Sequence, residues 1–384
     1  MKYIFYISLF FILYIYFGYP LLLFIKSVFK KNRSDTSDNY LPLVSIIIAA
    51  YNEEKVIEDK IKNTLNLNYP KEKLEIIVFS DSSSDQTDDI VKMYEKDGIK
   101  LLRIEGRKGK TFCQNRAVEE VKGEIIVFSD ANSMYKRDAV RKLVRNFADE
   151  RIGCVSGELK YINSANKKDE NSEGIYWKYE QIIKKLESKV SSLVGANGAI
   201  YAVRKKLYVP LEDFAISDFA EPLMIFEKGY RVIYEAEALA FEINDDTFKD
   251  SYSRRVRIVT RTFNNIIRSS EILELFNPIK YGWYSIQLVS HKLLRWFTGL
   301  FMFILLLLNI ILVKESWVYA TILILQLLFY LAALLGFLNQ KFFPKKEGRL
   351  LNYIFYFCLS NIAMLNGIIN AVLKNKIITW DTKR

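Results

Sequence analysis

Histidine is all but missing from this 384-residue chain: His291 is the only one. Cysteine is scarce as well, with Cys113, Cys154 and Cys358 showing no paired spacing. The first scarcity nearly excludes histidine triads, relays and metal clusters, and the second leaves no disulfide framework or zinc site. Acid–base work must therefore come from carboxylates. Glycine is missing where two common phosphate sites need it. The turn after the first hydrophobic run reads Ala49-Ala50-Tyr51-Asn52-Glu53, so no dehydrogenase-type dinucleotide fingerprint is present. Arg107-Lys108-Gly109-Lys110-Thr111 ends like a P-loop but lacks its first glycine.

What is abundant is apolar. Hydrophobic residues make up 51% of the chain. They concentrate in 3–25, 296–313, 317–338 and 350–373, each near the roughly 20 residues that cross a bilayer as a helix. The first run exceeds the ~7–15 residues of a signal-peptide core and no small-x-small site follows it, so a retained anchor is expected. Lys26, Lys30, Lys31 and Arg33 follow directly, which places the central domain in the cytoplasm. Lys341, Lys345, Lys346 and Arg349 mark another cytoplasmic loop, and Lys314 with Glu315 suits the outside. Four spans would leave Lys374, Lys376, Lys383 and Arg384 outside against that rule: either the tail departs from it or one segment does not cross. The expected order is an anchor over 1–25, a basic linker over 26–42, a cytoplasmic domain over 43–270, interfacial amphipathic helices over 271–295, three spans over 296–373 and a basic tail over 374–384. A multi-pass plasma-membrane protein follows. The net charge of +11 suits anionic lipid and phosphorylated substrates better than nucleic acid, because much of the basic excess flanks the spans.

Between Leu43 and Ser129, short β-branched runs alternate with segments of helical spacing, which argues for βαβ units and a mainly parallel sheet. Ligands of such sheets bind beyond the carboxyl ends of the strands. The residues there are Tyr51-Asn52-Glu53, Asp81-Ser82-Ser83-Ser84-Asp85 and Asp130-Ala131-Asn132. Asp and Asn oxygens after a strand suit Mg2+ or Mn2+, though an acid there also serves as a turn or cap. Asp81 is placed to accept hydrogen bonds from a base or ribose, and Asp85 to cap a helix. The basic loop at Lys108 and Lys110 opens a helix, where anions are favoured. Gly195 to Tyr201 reads as a glycine-rich strand. Asp218 then precedes a run of helical spacing and reads as a first-turn acid or a reactive carboxylate, with Glu221 as a helix acid. Arg254, Arg255 and Arg257 can clamp a diphosphate or form a solvated face that Arg261 extends. His291 to Trp296 looks like a basic collar before a span.

Taken in order, these pieces resemble the inverting glycosyltransferases of family 2, and more closely the membrane-bound branch of cellulose, hyaluronan and poly-N-acetylglucosamine synthases. The resemblance spans about 43–296. The motifs are Ala50 to Glu54, Asp81 to Thr87, Arg107 to Lys110 with Asn115, Asp130 to Ser133, Ser217 to Phe219 and the stretch from Arg254. It implies an α/β, Rossmann-like domain of the GT-A type, a mixed sheet binding a nucleotide-sugar, joined to α-helical transmembrane segments. Tyr51, Glu53 and Asp81 would hold a uridine. Asp130, with Asn132, would bind Mg2+ or Mn2+ on the diphosphate. Asp218 would be the general base. Arg257 would contact the diphosphate, with Arg254, Lys108 and Lys110 in support. Ala49 stands where the family often has proline, Asn132 for a second Asp, and Ser217 for an acid. Arg254 and Ile258 replace the Gln and Trp of Gln-x-x-Arg-Trp, which bears on processive synthesis more than on transfer. The expected partners are a nucleotide-sugar donor, a saccharide or lipid-linked acceptor and membrane lipids. Four spans are few for a polysaccharide channel, so interfacial helices or an export or assembly partner would complete one. Two other readings compete: a single-sugar transferase acting on polyprenyl phosphate, and a non-enzymatic membrane scaffold or transporter subunit.

Overall fold

The computed structural model describes residues 1–30, 35–162, 174–243, 247–342 and 349–373. Lys31, Arg33, Lys345, Lys346 and the tail 374–384 lie outside them. Four strands form the parallel half of one sheet: β1 (Val44–Ala50), β2 (Leu74–Asp81), β3 (Ile99–Ile104) and β4 (Ile125–Asp130), side by side in the order β3-β2-β1-β4. Every residue of β1 is buried, as a parallel strand covered on both faces should be. Ile46 and Ile48 meet Ile57 and Ile61 of the helix Ile57–Leu65 on one face. Ile47 meets Cys113, Ala117 and Val118 of the helix Lys110–Glu120 on the other. The register sets Ala50 beside Ser80 and Ala49 beside Asp130, so the ends of β1, β2 and β4 share one edge.

The second half is mixed. β5 (Met134–Tyr135), β6 (Ile152–Ile162), β7 (Ile200–Arg204) and β8 (Arg231–Ile243) extend the order as β4-β7-β6-β8-β5. β7 runs antiparallel to both β4 and β6, whereas β6 and β8 are parallel. The mainly parallel sheet read from the alternation therefore holds only up to β4. The glycine-rich stretch is also not a strand from Gly195: pairing starts at Ile200, because Gly195 has φ +150 and Gly198 has a carboxylate where a Cβ would go.

Among the described residues, three helices are long and apolar enough to cross a membrane: Lys2–Val28, Trp317–Phe342 and Leu350–Val372. A fourth span arises only if Trp283–Leu294 and Thr298–Leu312, bent by 62°, count as one. The straight span expected over 296–313 is thus a 15-residue helix after a sharp bend. Within 271–295, Ile272, Leu275, Tyr284 and Leu288 are buried in a cluster with Phe219 and Leu223, Val259 and Ile266, and Met364 and Ile368. These apolar positions pack on protein. The cluster joins the helix Ser217–Glu227, the arginine-bearing helix Phe248–Arg268 and the last helix, Arg349–Val372, in one core.

Contact between the last two of these is close. Thr260 Oγ1 donates to the Gly367 carbonyl at 3.0 Å, and a Cβ added at Gly367 would lie 2.7 Å from Val259 Cβ and 3.0 Å from the Val256 oxygen. We predict that Gly367→Leu costs about 1–3 kcal/mol by overpacking and lowers the thermal midpoint of the full chain in detergent. An unchanged midpoint would rule out this packing.

Candidate active site

The shared edge is organised by Asp81, the last residue of β2, which is fully buried. Its Oδ1 accepts the Lys108 N–H at 2.7 Å and its Oδ2 the Gly109 N–H at 3.0 Å. Arg107, at φ 49, lays its guanidinium 3.2 Å from the Tyr51 ring centroid, with Nη1 4.0 Å from Asp81 Oδ2. Tyr51, Asp81 and the basic loop are therefore one unit. The Lys108 side chain is exposed, and Gly109, at φ +97, leads into the helix that begins with Lys110. Glu53 is buried beside this unit, its N–H donating to Thr87 Oγ1 at 2.8 Å. Asp85 ties the turn, accepting from the Thr87 N–H at 3.0 Å and the Glu54 N–H at 3.0 Å.

Asp130 ends β4 half-buried, and the Lys110 ammonium pairs with its Oδ1. Asn132, also half-buried, lies two residues on. Beneath them Lys60 is fully buried; its ammonium donates to the Ser133 carbonyl and lies 3.9 Å from the Tyr135 ring centroid. Burial pushes Lys60 down to about 7, against the pull of Asp130 and Glu242. Asp130 and Asn132 offer one carboxylate and one amide oxygen, donors that suit a hard divalent cation, and the Lys110 ammonium on Asp130 Oδ1 would have to give way to it. Among the described residues no three His, Cys, Asp or Glu side chains gather into a metal cluster, so an ion here would need substrate oxygens to complete its shell.

Asp218 opens the helix Ser217–Glu227. Its Oδ2 accepts the Gly198 N–H at 3.2 Å, and a Cβ at Gly198 would come within 2.9 Å of that oxygen. Burial raises the Asp218 pKa; Lys110 and Lys292 oppose the shift, and the negative charge of Asp130 adds to it. Asp218, Lys110 and Asp130 are thus brought within electrostatic reach of one another from three elements. Arg261 joins them. It is buried, donates to the Ala215 carbonyl at 2.6 Å, and is held down to about 10 by burial and by Arg257, against Asp218. Arg257 is its neighbour one turn earlier, and Arg254 lies another turn back on that face. The solvated face expected to continue through Arg261 therefore stops short of it. Glu221 is a buried carboxyl accepting from Tyr201 OH at 3.2 Å.

Reasoning from sequence missed Lys60, Gly198 and Lys292 as parts of this site. Lys60 had a signal: it lies on the same helical face as Ile57, Ile61 and Thr64, all buried. Lys292 had none, because basic residues before an apolar run also look like a collar. The supposed collar residues His291 and Arg295 are buried instead.

Residues 45–207 match the model of a family described as Glycosyl transferase family 2. The chain is similar to the probable glycosyltransferase YdaM of Bacillus subtilis, 31% identical over 60% of this chain and 58% of that protein. It is similar to the poly-beta-1,6-N-acetyl-D-glucosamine synthase of Staphylococcus aureus, 25% identical over 59% of this chain and 56% of that one. The chain therefore spans a little over half the length of these curated relatives. Among solved structures, the mannosyltransferase PcManGT from Pyrobaculum calidifontis, in complex with GDP-Man and Mn2+, superposes with a TM-score of 0.70 at 20% identity, over 97% of this chain and 99% of its own. At that identity the likeness is one of fold.

Because Asp81 carries both loop N–H groups, Asp81→Ala should leave them unpaired beside an apolar wall, at a cost of about 1.5–3 kcal/mol for each hydrogen bond to a charged group. The expected result is faster tryptic cleavage after Arg107 and Lys108. Cleavage at the wild-type rate would mean that Asp81 does not hold the loop.

Proposed function

We propose, from the match of residues 45–207 to the glycosyl transferase family 2 model, that the protein transfers a sugar from a nucleotide-sugar, UDP-linked, to a growing surface polysaccharide or glycolipid, with inversion. The observation that carries this is Asp218. Gly198 N–H holds its carboxylate, burial raises its pKa, and it lies within electrostatic reach of the Asp130–Lys110 pair, which stands on the same sheet edge as the Tyr51–Asp81 unit. That is the layout of a base set against a site for a charged leaving group.

In this reading Tyr51, Glu53 and Asp81 shape the nucleoside pocket. The acceptor hydroxyl gives its proton to Asp218 as its oxygen bonds to the anomeric carbon, and the bond from that carbon to the diphosphate breaks. Gly198 N–H holds the receiving carboxylate in place. Lys110, with Lys108, Arg257 and Arg254, neutralises charge on the departing diphosphate. Asp130 and Asn132 would hold Mg2+ or Mn2+, which supplies further neutralisation of that charge when bound. Displacement from the far side turns an α-linked donor into a β-linked product. The apolar helices Lys2–Val28, Trp317–Phe342 and Leu350–Val372 support a site of action at the plasma membrane, and the basic residues flanking them support a catalytic domain on the cytoplasmic side.

The decisive experiment incubates membranes carrying the protein with labelled nucleotide-sugars and sizes the products. A ladder of glycans or a labelled glycolipid is expected; no transfer from any donor would overturn the reading. Asp218→Asn should lower turnover at least about 100-fold with donor binding kept, and near wild-type turnover would remove Asp218 as base. Asp130→Ala should weaken metal-dependent donor binding, and full activity of the wild type in excess chelator would remove the ion. A base works deprotonated, so turnover should fall as the pH drops through a value above the ordinary aspartate pKa of about 3.9. An acid limb at or below that value would count against Asp218.

A further inference from the structure

The helix Gly174–Val190 and the segment Trp283–Leu294 carry none of the residues of the donor edge, yet each sends a lysine toward Asp218. Lys184 and Lys292 are both half-buried. Lys292 acts on Asp218, Asp218 acts on Lys184, and the two ammonium groups act on each other. A Cβ added at Gly195 would lie 3.6 Å from the Asp218 carbonyl oxygen and 3.7 Å from Lys292 Nζ, so the lysine borders the loop beside the base. Lys184 lines a small cleft with Glu158, Glu180, Trp177, Gln181, Asn197 and Tyr234; Asn197 immediately precedes Gly198, whose N–H holds Asp218.

Among the described residues neither ammonium has a hydrogen bond or an ion pair. Lys184 faces the rings of Trp177 and Tyr234, each at 5.9 Å, and Lys292 that of Phe219 at 5.9 Å. The carboxylates that could neutralise them are engaged elsewhere. Glu187 accepts from Tyr19 OH and lies 2.8 Å from His291 Nδ1, and Glu180 pairs with Arg295 and with His291 Nε2 at 3.2 Å. Glu158 accepts from Gln181 and from Tyr234 OH at 2.7 Å. Glu180 and Glu187 act on both lysines, and Glu158 on Lys184, only through space, so two ammonium groups held near each other and partly out of water, with no direct partner, favour a further anion. Asp218 offsets them in part, but a base cannot serve as a permanent counter-ion.

The location says what brings the anion. Gly174–Val190 packs Ile183 and Val190 against Tyr19 and Leu23 of the apolar helix Lys2–Val28. Tyr14 of that helix shares a 2.8 Å hydrogen bond with Ser290, two residues before Lys292. Both lysines are thus mounted on elements fastened to a candidate membrane span, whereas the donor edge is built from the sheet. We propose that Lys184 and Lys292 form an acceptor subsite for the phosphate group of a lipid-anchored acceptor, holding it beside Asp218. This rests on Asp218 being the base of the proposed transfer, and it narrows the acceptor from glycans at large to phosphate-bearing lipids.

The test uses the full chain in detergent and two probes of equal chain length, decaprenyl monophosphate and decaprenol, with donor binding measured in parallel using a labelled nucleotide-sugar. The wild type should bind the monophosphate at least about 10-fold more tightly than the alcohol, in keeping with a charge-assisted contact. The Lys184→Gln, Lys292→Gln pair should lose that preference and keep donor binding, and Lys184→Arg with Lys292→Arg should restore most of it. Inorganic phosphate should compete only weakly, because it lacks the chain. Equal binding of the two lipids by the wild type, a preference that survives in the glutamine pair, or competition by inorganic phosphate as strong as that of the lipid each overturns the proposal. Loss of donor binding by the wild type itself would instead strike the proposed transfer, so the two failures remain separate.

Discussion

A carboxylate with no access to water sets the geometry of this molecule. Asp81 ends β2 inside the protein, and a charge there is tolerable only because two backbone N–H groups and a nearby guanidinium meet it. Those N–H groups belong to the loop that launches the helix of Lys110, and the guanidinium is pressed on Tyr51 at the end of β1. Satisfying one buried charge therefore fixes the ends of two strands and the start of a helix together. Lys110 then reaches Asp130 on a third strand. The rim of the sheet takes its shape from that chain of obligations more than from apolar packing, which sets the sheet but leaves its rim undetermined.

The opposite wall follows a different logic. Asp218 is held by an N–H that only a residue without a side chain can present at that distance, and Arg261 reaches it from a helix that arrives some forty residues later in the chain. Four segments with no local relation in sequence converge there. The arrangement leaves Asp218 partly desolvated, which raises its pKa, while Lys110 and Lys292 nearby oppose the shift.

Much of the first wall was legible in the amino-acid order. β-branched runs ending in Tyr51, Asp81 and Asp130 announce both the strands and their shared edge, because parallel strands must finish on the same side. Lys60 could have been read from its place on an apolar face. The second wall was far less legible. Its glycine-rich stretch looks extended, since nothing local says that Gly198 yields its Cβ space to a carboxylate. Arg261 looks solvated, since Arg254 and Arg257 precede it on the same face. His291 and Arg295 look like a membrane collar until Glu180 and Glu187, more than a hundred residues away, are placed beside them. Pairings of that separation leave no periodic trace.

The cluster shared by Leu223, Ile266 and Ile368 has a practical consequence. The helices Ser217–Glu227, Phe248–Arg268 and Arg349–Val372 bury one another, so a cut between the second and third would expose the core they share. A fragment ending near residue 270 would show a raw apolar face where the last helix had been, and would be expected to aggregate. With Arg349–Val372 in a bilayer, its thickness and lateral pressure would reach Asp218 through side chains already in contact, which would make the surrounding lipid part of the site's working environment.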